Sequence, residues 1–140
     1  MTKLLPLLMI LPLWETNAQT RAGAYDQWLQ EDVAYLILPE EAARFQSLKT
    51  DQECEKFIEQ FWARRDPTPG TVQNEMKEEH YRRIAYANAR FGKDKEPGWK
   101  TPRGRMYIVK GPPDEIESHP AQGRENWLYR SPREIFEFKL

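Results

Sequence analysis

The sequence predicts an α+β domain in which a helical hairpin packs on a small, mostly antiparallel sheet. Helical periodicity dominates up to Gly92, alternating apolar residues appear from Pro97 onward, and a polar linker, Lys93 to Pro97, divides them. No internal repeat interrupts this division.

Residues 1–18 read as a secretory signal peptide. Lys3 supplies the positive start, Leu4 to Trp14 the apolar stretch, and Thr16-Asn17-Ala18 the small residues before cleavage. Gln19 is the expected new N-terminus, and Ala22-Gly23-Ala24 offers a second cleavage point. The apolar run is shorter than the roughly 20 residues of a membrane span and is interrupted by Pro6 and Pro12, so no transmembrane segment is expected after cleavage. Residues 19–140 form one domain's worth of chain. The chain ends at Leu140 inside an expected strand, which leaves room for further strands beyond it.

Without Lys3 and Glu15 the chain carries 20 basic and 21 acidic groups, which gives no general pull toward phosphate backbones or anionic lipid. Nucleic acid is therefore not an expected partner. Cys54 stands alone, so no intrachain disulfide can form, and it reads as a buried, inert thiol.

The elements follow in order. Tyr25 to Leu38 is apolar with mixed periodicity and fits helix or strand. Glu40 to Leu48 reads as a short helix with Pro39 in its first turn. Thr50 and Glu53 have capping-box spacing, and Cys54, Phe57, Ile58, Phe61 and Trp62 form a buried stripe on the helix that follows. Pro67, Pro69 and Gly70 end it. A third helix is expected over Val72 to Phe91, capped by Thr71 and stopped by Gly92, with Val72, Met76, Ile84, Ala87 and Phe91 on its apolar line beside His80. The Asp66 to Gly70 turn would set the two long helices antiparallel. Met106 to Val109, Trp127 to Tyr129 and Ile135 to Phe138 alternate as strands, with Gly111-Pro112-Pro113 ending the first.

Two clusters are candidate functional residues. Arg64, Arg65 and Asp66 lie at a helix end, and Asn74 and Glu75 in the next first turn are their expected partners. Gly98, Trp99, Thr101, Arg103, Gly104 and Arg105 form a loop leading to the expected first strand, with Asp114 beyond it. Gly98 and Gly104 permit backbone conformations that side chains would obstruct, and Trp99 can pin the loop to the helices. Arg103 and Arg105 either hold Glu75 or Asp114 inside the fold or line an anion-binding rim. His80 beside Glu79 suggests metal or acid–base chemistry, but His119 is the chain's one other histidine and a solvated or core-edge role is favoured. No metal site and no cofactor is expected. No nucleophile elbow, phosphate loop or dinucleotide fingerprint is present in the sequence.

The blocks Phe61 to Pro69, Asn74-Glu75, Arg83-Ile84-x-Tyr86-Ala87-Asn88, Gly98 to Arg105 and Gly111-Pro112-Pro113-Asp114 together resemble the bacterial GWxTD domain family, over about Trp28 to Tyr129. The resemblance implies an exported bacterial protein without an established biochemical activity. One departure is plain: Pro102 stands where the family's name calls for Asp, which weakens any catalytic role for an acid at that step. The expected function is a noncatalytic envelope or extracellular module that binds an envelope protein or surface polymer. The alternative is a hydrolase using Glu75, Glu79 or Asp114 as acid or base beside Trp99.

Overall fold

A computed structural model describes residues 22–140, so the signal-peptide reading lies outside the described residues. Within them the chain is α+β. Residues 22–27 are helical and run into a π-helix, Trp28–Asp32. Four α-helices follow: α1 (Pro39–Gln46), α2 (Asp51–Ala63), α3 (Glu75–Phe91) and α4 (Pro102–Lys110). The strands β1 (Glu115–His119), β2 (Arg124–Arg130) and β3 (Arg133–Lys139) pair antiparallel in the order β1-β2-β3.

The helix starts follow from local chemistry. Pro39 opens α1, where its missing N–H costs nothing, and Glu41 accepts from the Leu38 N–H at 3.1 Å. The capping box of α2 is made as expected: Thr50 Oγ1 accepts from the Glu53 N–H at 3.2 Å, and the Glu53 carboxylate accepts from Thr50 at 3.0 Å. Helix α3 starts later than expected. Asn74, not Thr71, caps it by accepting from the Lys77 N–H at 3.0 Å, while Thr71 hydroxyl donates to Thr68 and Gln73 carbonyls. Val72 therefore leaves the apolar line and is fully exposed.

The largest correction concerns Met106 to Val109, which is helical rather than a strand. Thr101 caps α4 and Pro102 occupies its first turn, so the start signal outweighs a four-residue apolar run that fits either period. Gly111 then ends a helix instead of a strand, at φ 85°. The first strand is Glu115–His119, which was not expected because Ile116 is its one large apolar residue. Tyr25 to Leu38 resolves as the helical stretch and turns.

Three apolar clusters hold the chain. Trp28, Val33, Phe45, Phe57, Phe61 and Trp62 form the first, with Cys54 half-buried at its margin rather than buried. Ala87, Trp99 and Ile108 join α3 to α4. Trp127, Tyr129 and Phe138 pack beneath Phe91, Met106 and Tyr107, so the helices over the sheet are α3 and α4. Helix α2 meets α3 through Trp62, whose ring lies 5.6 Å from His80 and 5.7 Å from Tyr81. His80 is buried, its Nε2 2.6 Å from the Asp32 carbonyl, and burial lowers its pKa.

Candidate functional site

The loop between α3 and α4 is built around two backbone approaches. A Cβ on Gly98 would stand 1.9 Å from the Ala87 carbonyl oxygen, and one on Gly104 would stand 1.8 Å from the Gly98 carbonyl oxygen. Glycine at these positions lets the 3₁₀ turn Gly98–Lys100 lie directly on α3 and lets α4 start against that turn.

The polar groups of the loop are used internally. Trp99 N–H donates to Asn88 Oδ1 at 2.9 Å, and Tyr35 hydroxyl donates to the Trp99 carbonyl at 3.0 Å. The Trp99 ring is buried against Tyr35, centroids 5.7 Å apart. Thr101 Oγ1 donates to the Gly98 carbonyl at 2.7 Å and accepts from the Gly104 N–H at 3.0 Å. Thr101 thus closes one turn and caps the next helix. Pro102 at the start of α4 rationalises the departure from the motif name: an acid there would favour the helix dipole, and proline favours the same position by fixing φ.

Arg103 and Arg105 sit in the first turns of α4, not at the entry to a strand, and neither meets Glu75 or Asp114. Arg103 lies 3.6 Å from Glu125 Oε1 and 5.0 Å over the Phe91 ring. Glu125 also accepts from the Trp127 indole, which fixes it under α4. Arg105 is exposed and lies 5.2 Å over the Tyr35 ring. Replacing Arg103 by Leu removes the cation beside the half-buried Glu125 carboxylate, which keeps the Trp127 indole donor, and is expected to lower stability by about 1 to 3 kcal/mol. Arg105→Leu is expected to cost no more than about 1 kcal/mol. Denaturant melts of the two variants compare them directly.

The Arg64-Arg65 pair also finds a different partner from the expected one. Both arginines converge on Glu41 of α1, Arg65 as a two-pronged fork at 2.7 and 3.1 Å and Arg64 at 3.0 Å. Arg65 additionally donates to the Phe61 carbonyl at 3.1 Å and stacks 3.7 Å over its ring. Asp66 accepts from the Thr68 N–H at 2.9 Å and shapes the turn. Asn74 Nδ2 donates to the Trp62 carbonyl at 2.8 Å, so the same side chain ends α2 and begins α3, whereas Glu75 is exposed. No signal in the sequence marked Glu41, which lies 24 residues before Arg65 and on another helix.

Desolvation raises the Glu41 pKa, but the hydrogen bonds from Arg65, Leu38 and Arg64 outweigh it and hold the carboxyl at about 2, down from 4.5. Because the folded pKa is the lower one, the pair's contribution is complete above pH 4.5 and fades as pH falls toward 2. Glu41→Gln should cost about 2 kcal/mol at neutral pH and flatten the acid limb of stability between those pH values, read by urea melts in a pH series.

The residues expected to serve hydrolysis do not converge. Glu79 lines a cavity of about 250 Å³ with Tyr35, His80 and Arg83, yet it is ion-paired to Arg83 at 2.9 Å and to Arg82, and the Arg83 hydrogen bond lowers its pKa. Arg83 in turn donates to the Ile108 carbonyl at 3.2 Å, clamping α3 to the end of α4. Asp114 accepts from the Arg130 N–H at 2.7 Å and steadies the sheet. No group of three or more metal-binding side chains occurs among the described residues.

Beyond Arg103 the surface opens to solvent. A groove of about 340 Å³ runs between α3, α4 and β1, lined by Tyr86, Arg90, Tyr107, Pro112, Pro113 and Ile116, with Arg103 and Glu125 among its other walls. Tyr86 and Tyr107 stack at 4.3 Å and 14°, and the Arg90 guanidinium lies 5.7 Å over Tyr86. Tyr86 and Pro112-Pro113 were visible within sequence blocks, but only the helical placement of Tyr107 brings them together.

The GWxTD domain family model matches residues 19–140, a wider span than the blocks alone indicated. No curated protein and no solved structure matches the chain. No helix among the described residues is long and apolar enough to cross a membrane.

Proposed function

The chain belongs to the GWxTD domain family, and from that premise we propose that it is an exported, noncatalytic bacterial module that binds a protein or surface polymer of the cell envelope. The observation that carries the reading is the division of labour around the motif loop. Gly98, Trp99, Thr101 and Gly104 are consumed in holding α3 to α4, and the candidate acids are engaged in ion pairs, engaged in backbone hydrogen bonds, or exposed. The adjacent groove keeps aromatic surface and the exposed Arg90. Aromatic side chains offer large contact area at small entropic cost, and arginine adds a planar fork of hydrogen-bond donors, which together suit recognition.

Export follows from the order of Lys3, the apolar Leu4 to Trp14 and the small residues before Gln19. Expression of the full chain in its native host, followed by fractionation and N-terminal sequencing, tests it. A periplasmic or extracellular species beginning near Gln19 is expected; cytosolic protein retaining Met1 would overturn the location. Binding is tested by retention of envelope material on the immobilised chain. Loss of retention with Tyr86→Ala and Arg90→Ala, both with wild-type melting, supports the groove, and unchanged retention removes it. Release of fragments from the retained material, abolished by Glu79→Gln, would favour the hydrolase instead.

A further inference from the structure

We propose that the groove takes an extended segment of a partner protein, which adds as a strand to the free edge of β1. The proposal rests on the binding-module reading and specifies its ligand. In the sheet order β1-β2-β3, β1 has a neighbour on one side alone among the described residues. Its first four residues are exposed, Ile116 at 49%. Ile116 pairs with Trp127, so both side chains stand on the face that α3 and α4 cover. The helices bury Trp127 completely but stop short of Ile116, and the uncovered step between them is the groove. An open backbone edge and a side-chain groove therefore lie next to each other, the arrangement that strand addition uses: the edge supplies ladder hydrogen bonds and the groove reads alternate side chains.

The chemistry of the segment follows from the walls. Tyr107, Pro112, Pro113 and Ile116 offer apolar contact, and exposed Arg90, over the Tyr86 ring, has no carboxylate partner among the described residues' ion pairs. The segment would present an apolar and an acidic side chain at positions i and i+2, both toward the groove. On the opposite face Glu117 is largely exposed and would repel an acid there. Two carboxylates and short length guard β1 against indiscriminate pairing, which makes the edge selective. A glycan has no backbone amides to fill that edge, which favours the peptide.

The test uses the full chain after secretion, panned against displayed random dodecapeptides, with polygalacturonate titrated in parallel. Enriched peptides carrying the i, i+2 apolar and acidic pair are expected. Their affinity should fall at least tenfold in Ile116→Lys and Arg90→Glu, two exposed sites whose melting should match the wild type. A Lys in place of the peptide acid should restore binding to Arg90→Glu. Slowed amide exchange should map to Ile116–Ser118. Peptides insensitive to Ile116→Lys, or slowed exchange along β3 instead, would overturn strand addition. Arg90-dependent binding of polygalacturonate without any peptide would overturn it too but leave the binding module standing. Failure of every ligand, together with unselective retention of envelope material, would remove both.

Discussion

Gly98→Ala and Gly104→Ala are each expected to prevent stable folding. The added methyl would meet a backbone carbonyl at 1.9 or 1.8 Å, and a backbone atom has no rotamer through which to escape. Relief requires moving the 3₁₀ turn off α3 or α4 off the turn. The first movement breaks the Trp99–Asn88 hydrogen bond, the second the Thr101–Gly98 hydrogen bond, and either opens the Ala87, Trp99 and Ile108 cluster. Gly123→Ala is the contrast. Its Cβ meets nothing within 4 Å, so only the left-handed backbone, φ 62°, opposes it, and a loss of about 1 to 2 kcal/mol is expected. Circular dichroism melts of the three variants read the difference; cooperative, near-wild-type unfolding of Gly98→Ala would show that the close approach is not required.

Phe61→Ala is expected to cost about 3 to 5 kcal/mol. Phe61 is fully buried, its ring meets Trp28 at 5.2 Å and Trp62 at 5.1 Å edge-on, and Arg65 stacks on its outer face. Its loss empties the centre of the first cluster and removes the surface that orients the Arg65 fork toward Glu41. Trp62→Ala should be similarly severe, since Trp62 alone carries the ring contacts of α2 to His80 and Tyr81 in α3. For a chain of this size a loss of that magnitude is a large part of the total stability. Urea unfolding measures both; unfolding free energies within about 1 kcal/mol of wild type would place the stripe outside the core.

The contrast between what was legible and what was not has physical causes. Helix α2 was readable because capping box, stripe and terminating prolines agree over one continuous segment. The strands β2 and β3 were readable because aromatic residues alternate along them. Met106 to Val109 misled because four apolar residues fit either period, although Thr101-Pro102 just ahead is a helix start. β1 was hidden because an exposed edge strand needs little apolar character. In the motif loop Gly98 and Gly104 serve close backbone approach rather than an unusual backbone conformation, and that approach, like the partners of Arg65, Arg103 and Arg105, depends on tertiary placement. Glu41, Glu125 and Tyr35 are distant in sequence and carry no local mark of those contacts.

The central claim is that the Gly98 to Gly104 loop serves as a folding element rather than as a ligand-binding surface. Native-state amide exchange at the Trp99 and Gly104 N–H groups tests it without any ligand, because these donors bond to Asn88 Oδ1 and Thr101 Oγ1 within the loop's own framework. Both amides are expected to exchange only through global unfolding, with the same denaturant dependence as the amides of β2. Exchange of either at the rate of an unstructured chain, while β2 stays protected, would contradict the claim.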